Sequence, residues 1–192
     1  MWSKNRFRAI DFFCGGGGMT YGLRQAGINV IAGVDFDADA KETYELNNPG
    51  STFIQADIKI LESDFFKRKF SIKPYDDNLI LSGCSPCQYY SIINTYKEKS
   101  TKSKDLLMDF ARFIEYYRPG FVLVENVPGI MTNKNSILPC FLNKLKKLGY
   151  ENITYEIVNM SKYGVPQSRK RFSLISSRIL ELNITMPRED SK

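Results

Sequence analysis

The sequence predicts an α/β fold in which a doubly wound, mostly parallel sheet carries helices on both faces. Short apolar runs rich in β-branched and aromatic residues alternate with longer segments of helical periodicity. Glycine or proline separates many of these segments. Strands that alternate with helices are typical of parallel sheets, in which ligands bind at the carboxyl ends of the strands. We therefore expect the functional residues at predicted strand ends.

The first predicted unit is a strand over residues 8–13, a glycine run over 14–18 and a helix that begins at Met19. Apolar residues at helical spacing support this helix, and Gly27 is a typical stop. Further strands are predicted over residues 29–34, 51–54, 78–81, 121–124, 154–159 and 171–177. Further helices are predicted over residues 38–46, 62–69, 105–117 and 136–148.

Length and charge narrow the class of protein. The 192 residues suffice for one domain with a substantial core, and we expect residues 1–192 to form a single domain. The net charge of +6 suits a polyanionic partner such as a nucleic acid. No apolar run approaches the roughly 18 residues of a membrane span, and the basic N-terminus lacks the apolar middle of a signal peptide. These features predict a cytoplasmic protein without membrane contact.

The segment 83–88 combines two cysteines with a proline directly after an apolar run, which is a suitable place for a nucleophile. The chain has no histidine, so Ser–His and Cys–His mechanisms are excluded. A zinc site would need two ligands besides Cys84 and Cys87, and no metal site is predicted. A buried or redox-sensitive cysteine pair is the alternative for this segment.

The glycine run and Asp35 together predict a cofactor that contains a nucleoside. The run does not match G-x-G-x-x-G, but glycines before a helix expose backbone N–H groups that bind small anions, including carboxylates. Asp35 follows Gly15 by 20 residues, a distance at which an acid at the end of a second strand meets ribose hydroxyls. Alternatively, the glycines form a tight turn and Asp35 caps a helix.

Four motifs, at residues 11–18, 86–88, 125–127 and 167–171, resemble those of the cytosine carbon-5 DNA methyltransferases in order and spacing. The resemblance covers nearly the whole chain. It implies the Rossmann-like fold of class I S-adenosylmethionine-dependent methyltransferases, with S-adenosylmethionine as cofactor and S-adenosylhomocysteine as product.

The resemblance also implies a cofactor site. Phe13 would stack on the adenine, the backbone of residues 15–18 would hold the methionine part, and Asp35 would bind the ribose. Asp57 and Ile58 would flank the adenine. The predicted cofactor-binding set is Asp11, Phe13, Gly15, Gly17, Gly18, Asp35, Phe36, Asp57, Ile58 and Pro86.

The catalytic residues implied by the resemblance are Cys87, Glu125, Arg171 and Arg169. Cys87 would attack carbon 6 of a cytosine and thereby make carbon 5 nucleophilic enough to accept a methyl group. Glu125 would stabilise the charge that develops on the ring nitrogen. Arg171 would contact the cytosine with Arg169 beside it, since alternate residues of a strand point the same way. Two surface arginines on an edge strand are the alternative.

The expected partner is double-stranded DNA with a flipped cytosine, because carbon 5 must leave the base stack to react. Residues 89–104 follow Cys87, lack apolar periodicity and are expected to close over the nucleic acid. Four lysines of this segment would lie near phosphates, namely Lys97, Lys99, Lys102 and Lys104. A solvated charged loop is the alternative.

Members of the family continue beyond the last motif into a target-recognition region and a closing segment beside the cofactor, whereas this chain ends 21 residues after Arg171. We therefore expect a second chain, or a missing C-terminal region, to supply target recognition, and little activity from these residues alone. The setting would be a bacterial restriction-modification or orphan system. A transfer-RNA cytosine methyltransferase and a non-catalytic binding protein are the alternative functions.

Overall fold

The computed structural model describes residues 6–86, 105–181 and 183–189. The strands are β1 (Arg8–Phe12), β2 (Asn29–Asp35), β3 (Thr52–Gln55), β4 (Leu79–Gly83), β5 (Phe121–Asn126), β6 (Asn152–Asn159) and β7 (Lys170–Ser177). The helices are α1 (Gly18–Gln25), α2 (Ala40–Asn47), α3 (Phe65–Phe70), α4 (Leu106–Tyr117), α5 (Gly129–Thr132) and α6 (Leu138–Lys147). A 3₁₀ helix, Met160–Tyr163, follows β6.

The strands form a seven-stranded sheet in the order β3-β2-β1-β4-β5-β7-β6 within the described residues. The pairs from β3 to β5 are parallel, whereas β7 is antiparallel to both β5 and β6. The predicted doubly wound, mostly parallel fold is thereby confirmed. The parallel part places the carboxyl ends of five neighbouring strands along one edge, where such folds bind ligands.

The larger part of the core lies on the face of the sheet that α4 covers, and a smaller buried cluster with Leu23 of α1 lies on the opposite face. The ring of Phe12 from β1 packs against Phe110 and Phe113 of α4, with centroid distances of 5.1 and 4.9 Å, and against Phe66 of α3 at 5.6 Å. All four side chains are fully buried. At roughly 1.5–3 kcal/mol for each buried large apolar side chain, this cluster fixes α4 against the sheet.

The fourth strand ends later than predicted. The apolar run stops at Leu81, but β4 continues through Ser82 and Gly83, which pair with Asp11 and Phe12 of β1. Serine and glycine are weak strand formers, so only the pairing with a neighbour extends the strand. As a result, Cys84 follows the strand directly.

The short helix α5 and the 3₁₀ helix Met160–Tyr163 were not predicted, because neither is long enough to show a period. All the elements that the sequence predicted are present, and their ends differ from the predicted ones by up to three residues. Among the helices of the described residues, none has the length and apolar character needed to cross a membrane.

Candidate active site

The segments that follow the parallel strands are joined to one another by backbone hydrogen bonds. Together they form one continuous edge of the sheet. The amide of Cys14 donates to the Val34 carbonyl at 3.1 Å, and the amide of Ala56 donates to the Asp35 carbonyl at 2.9 Å. The amide of Cys84 donates to the Phe12 carbonyl at 3.2 Å. The glycine run, the acid after β2 and the loop after β4 are therefore held side by side.

The glycine run forms a tight turn whose conformation requires glycine at two positions. Gly15 and Gly17 have φ angles of +47° and +89°, which L side chains rarely adopt. A Cβ atom on Gly17 would lie 2.2 Å from Nδ2 of Asn48 and 2.9 Å from Cδ2 of Tyr44. Gly18 is exposed and begins α1, so the turn presents backbone at a helix N-terminus.

The carboxylate of Asp35 links this turn to the end of β2. Its Oδ2 accepts a hydrogen bond from the Gly15 amide at 2.8 Å, and its Oδ1 accepts one from the Asp37 amide at 2.9 Å. A carboxylate can accept about four hydrogen bonds, so these two leave capacity for a ligand. The ring of Phe36 follows directly and is 74% exposed.

Four further residues of the predicted cofactor set lie along the same edge of the sheet. Phe13 leaves β1 half-buried, with an unusual φ of +60° for a residue with a side chain. Asp57 is half-buried in the loop after β3, and Ile58 is buried beside it. Pro86 is exposed in the loop after β4.

Asp11 differs from the other residues of the set because its side chain is fully buried. Its carboxylate accepts hydrogen bonds from the hydroxyls of Thr20 at 2.7 Å and Ser82 at 2.9 Å. Loss of solvation by burial raises the pKa of Asp11 to about 6, although both hydrogen bonds oppose the shift. The carboxyl group therefore connects β1 to α1 and to β4, and it has no exposed surface for a ligand.

Two side chains that the sequence did not single out hold the glycine turn, one from α2 and one from the residue that follows it. The hydroxyl of Tyr44 lies 3.1 Å from Oγ1 of Thr20 and 2.7 Å from Oγ of Ser51. The Nδ2 atom of Asn48 donates to the carbonyl of Tyr44 at 3.0 Å and contacts that of Gly17 at 3.4 Å. Both side chains are fully buried. No sequence signal separates them from ordinary core residues of an amphipathic helix.

Arg112 of α4 was also missed, and it holds the loop that carries Asp57 and Ile58. Its Nη2 donates to the Ile58 carbonyl at 2.7 Å, and its Nη1 donates to the Leu61 carbonyl at 3.0 Å and the Ser63 hydroxyl at 2.9 Å. A planar guanidinium suits such a set of acceptors.

The carboxylate of Glu125 lies at the end of β5 between two donors. The Nε atom of Arg171 lies 2.7 Å from its Oε1, and the Sγ atom of Cys84 lies 2.5 Å from its Oε2. The Glu125 and Arg171 side chains are only 23% and 19% exposed, so water screens their attraction incompletely. Two of the predicted catalytic residues are thus in direct contact, whereas Arg169 is exposed just before β7.

Asn126, the neighbour of Glu125, fixes the loop that leads towards the predicted nucleophile. Its buried Nδ2 donates to the carbonyl and to the hydroxyl of Ser85, both at 3.1 Å, and its Oδ1 accepts from the Val127 amide at 2.9 Å. Asn126 belongs to the motif at residues 125–127, and this motif could have indicated its role in holding the loop.

Cys87 and residues 89–104, with the four lysines predicted to meet phosphates, lie outside the described residues. Within the described ranges, no group of three acidic, cysteine or histidine side chains is placed to hold a metal ion.

Comparisons with known proteins identify the family to which this chain belongs. The family model of the C-5 cytosine-specific DNA methylases matches residues 7–190. The type II methylase M.HgiDII of Herpetosiphon aurantiacus is 35% identical, over 93% of this chain and 49% of its own length. The type II methyltransferase M.DdeI of Desulfomicrobium norvegicum is 34% identical, over 93% of this chain and 43% of its own length. The chain thus spans about half the length of these relatives.

Solved structures show the same fold. A crystal structure of a prophage-encoded E. coli protein, described as a DNA modification methyltransferase, superposes with a TM-score of 0.79 at 33% identity. The match covers 93% of this chain and 49% of that one. The S. pombe Dnmt2 methyltransferase superposes with a TM-score of 0.68 at 22% identity, over 95% of this chain and 51% of that one, which shows the fold alone. Because the family model matches almost the entire chain, this protein belongs to the C-5 cytosine-specific DNA methylase family.

Proposed function

We propose that this chain is the catalytic and cofactor-binding region of an enzyme that transfers a methyl group from S-adenosylmethionine to carbon 5 of cytosine in DNA. The observation that carries the proposal is the Glu125–Arg171 pair, 2.7 Å apart, beside the loop that leads to Cys87. An acid and a guanidinium at this place provide the two polar groups that a cytosine ring needs, one for its ring nitrogen and one for its carbonyl oxygen.

The residues at the ends of β1, β2 and β3 fit S-adenosylmethionine. The turn at residues 15–18 exposes backbone for the methionine part, and Asp35 retains acceptor capacity for ribose hydroxyls. Phe13 and Phe36 offer apolar surface for the adenine, with Asp57 at its edge and the buried Ile58 beside Asp57. When bound, this molecule supplies an electrophilic methyl group.

The chain's own residues would activate the cytosine. The Cys87 thiolate adds to carbon 6, and electron density moves through the ring to N3, where Glu125 supplies a proton or a hydrogen bond. Arg171 binds the cytosine, and Arg169 stands beside it. After carbon 5 has taken the methyl group, loss of the carbon-5 proton to a base expels the Cys87 thiolate. N3 returns its proton to Glu125, and the aromatic ring is restored.

We further propose that DNA recognition involves a polypeptide region outside these 192 residues. The relatives are about twice as long as this chain, which supports the idea. A largely apolar groove of about 350 Å³ beside Glu125 is lined by Met19, Leu123, Val158 and Ile175 among others, and a closing segment would cover it. Residues 89–104 would contact phosphates of DNA with a flipped cytosine.

Trapping with DNA that contains 5-fluorocytosine tests the proposed function, because fluorine at carbon 5 prevents release of the cysteine. The chain, supplied with a recognition region, should form a covalent adduct in the presence of S-adenosylmethionine. Cys87→Ala should form none, and Cys140→Ala, a change of an exposed cysteine on α6, should leave it intact. An adduct that persists in Cys87→Ala, or tritiated methyl transfer to transfer RNA and not to DNA, would contradict the proposal.

A further inference from the structure

The position of Cys84 beside Glu125 follows from strand pairing. Gly83, the last residue of β4, pairs with Val124 of β5 in parallel register. The residues that come next, Cys84 after β4 and Glu125 in β5, therefore lie at the same level on neighbouring strands. The hydrogen bond from the Cys84 amide to the Phe12 carbonyl fixes the backbone from the other side.

The contact between the two side chains has a defined donor and acceptor. The thiol of Cys84 donates a hydrogen bond to Oε2 of Glu125. The other oxygen, Oε1, receives the Nε–H of Arg171. Each oxygen of this carboxylate thus has a donor from a different strand end.

Two donors determine the orientation of a group that would otherwise turn freely. The terminal torsion of a glutamate has a broad energy profile, so the side chain alone does not set the plane of its carboxyl group. A donor on each oxygen sets that plane before a substrate binds. Such preorganisation matters for a group that must meet a ring nitrogen within hydrogen-bond distance.

We propose that Cys84 is a positioning residue whose thiol proton holds the carboxyl group of Glu125 in the orientation that the reaction on cytosine requires. The role rests on the proposed function, because it concerns the same catalytic carboxylate. Cys84 itself forms no covalent bond in the reaction, and its proton stays on sulfur.

Infrared spectroscopy of the chain tests the contact without any activity. The S–H stretching band of Cys84, isolated as the difference between the parent and Cys84→Ser, should lie at the low frequency of a hydrogen-bonded thiol. It should shift upwards in Glu125→Gln, because a neutral amide is the weaker acceptor. A band at the position of an unbonded thiol, or one that Glu125→Gln leaves in place, would overturn the proposal.

Kinetics of methyl transfer test the consequence. Cys84→Ala should lower kcat roughly tenfold, the effect of losing one hydrogen bond to a charged group, with KM for DNA nearly unchanged. Cys84→Ser retains a donor and should restore most of the rate, whereas Cys140→Ala should match the parent. Equal rates for the alanine and serine variants would exclude a positioning role. If the parent forms no 5-fluorocytosine adduct, the proposed function fails, whereas the infrared band still reports the contact.

Discussion

The guanidinium Nε of Arg171 lies 2.7 Å from Oε1 of Glu125, although the two residues are 46 positions apart in the chain. They meet because β7 runs antiparallel to β5, with Ser173 opposite Glu125. Arg171 precedes Ser173 by two residues in β7 and lies on the same face, since side chains alternate along a strand.

Replacing Glu125 by glutamine should lower the rate of methyl transfer by a factor of about 10² to 10⁴, the usual contribution of a general acid or base. The fold should persist, because glutamine is isosteric and the site is partly open to water. Initial rates with tritiated S-adenosylmethionine measure the effect. Glu189→Gln, which removes an exposed ion pair with Lys162, is the matched control and should not change the rate. Turnover of Glu125→Gln close to that of the parent would refute the assignment.

Asp11 should make the free energy of unfolding depend on pH in a direction that is unusual for an acid. Its pKa is about 6 in the folded chain against 3.8 for an ordinary aspartate, so between these values the folded state binds more protons than the unfolded state. Its contribution to stability is fully present below about pH 3.8 and is lost as the pH rises through about 6. The loss amounts to about 3 kcal/mol.

The Asp11→Asn variant isolates this contribution, because asparagine has nearly the same shape and does not titrate. Urea unfolding at several pH values between 4 and 7 should show the stability of Asp11→Asn rising relative to the parent as the pH increases. A difference between the two proteins that is constant over this range would show that Asp11 titrates alike in the folded and unfolded chains.

Gly17→Ala should destabilise the chain and weaken cofactor binding. The new methyl group would lie 2.2 Å from Nδ2 of the buried Asn48, and φ would remain at +89° only under strain. Together these effects should cost about 2 to 4 kcal/mol. Gly22→Ala is the control, since a Cβ there meets nothing within 4 Å and alanine favours the helix. Urea midpoints should fall for the first variant and rise slightly for the second.

Arg112→Gln should weaken the binding of S-adenosylhomocysteine about tenfold, because the loop with Asp57 and Ile58 loses charge-assisted hydrogen bonds. Isothermal titration calorimetry measures the affinity. The control is Arg68→Gln. This exposed arginine of α3 pairs with Glu62, which lies after Ile58 in the segment between β3 and α3. If both variants bind as the parent does, Arg112 does not position the cofactor loop.

Periodicity and turn residues predicted the alternation of strands and helices, and hence the doubly wound sheet, because both are local properties of the chain. The same local reasoning placed Asp35 and Glu125 at strand ends, and the general behaviour of parallel sheets then located the candidate site. The sequence also indicated glycine where the turn before α1 needs it, at Gly15 and Gly17.

Only the tertiary structure decided which polar groups meet. The amino-acid pattern shows Asp11 as one more acid near a strand end, whereas the neighbouring strand and helix enclose it between Ser82 and Thr20. The contact of Cys84 with Glu125 depends on the parallel register of β4 and β5, and that of Arg171 on an antiparallel strand. These contacts join residues about 10 to 70 positions apart, so the periodicity of a single segment cannot predict them. The sequence by itself determined the strands and the longer helices, and it indicated the edge of the sheet at which such folds bind ligands. Packing determined the partners of each side chain at that edge.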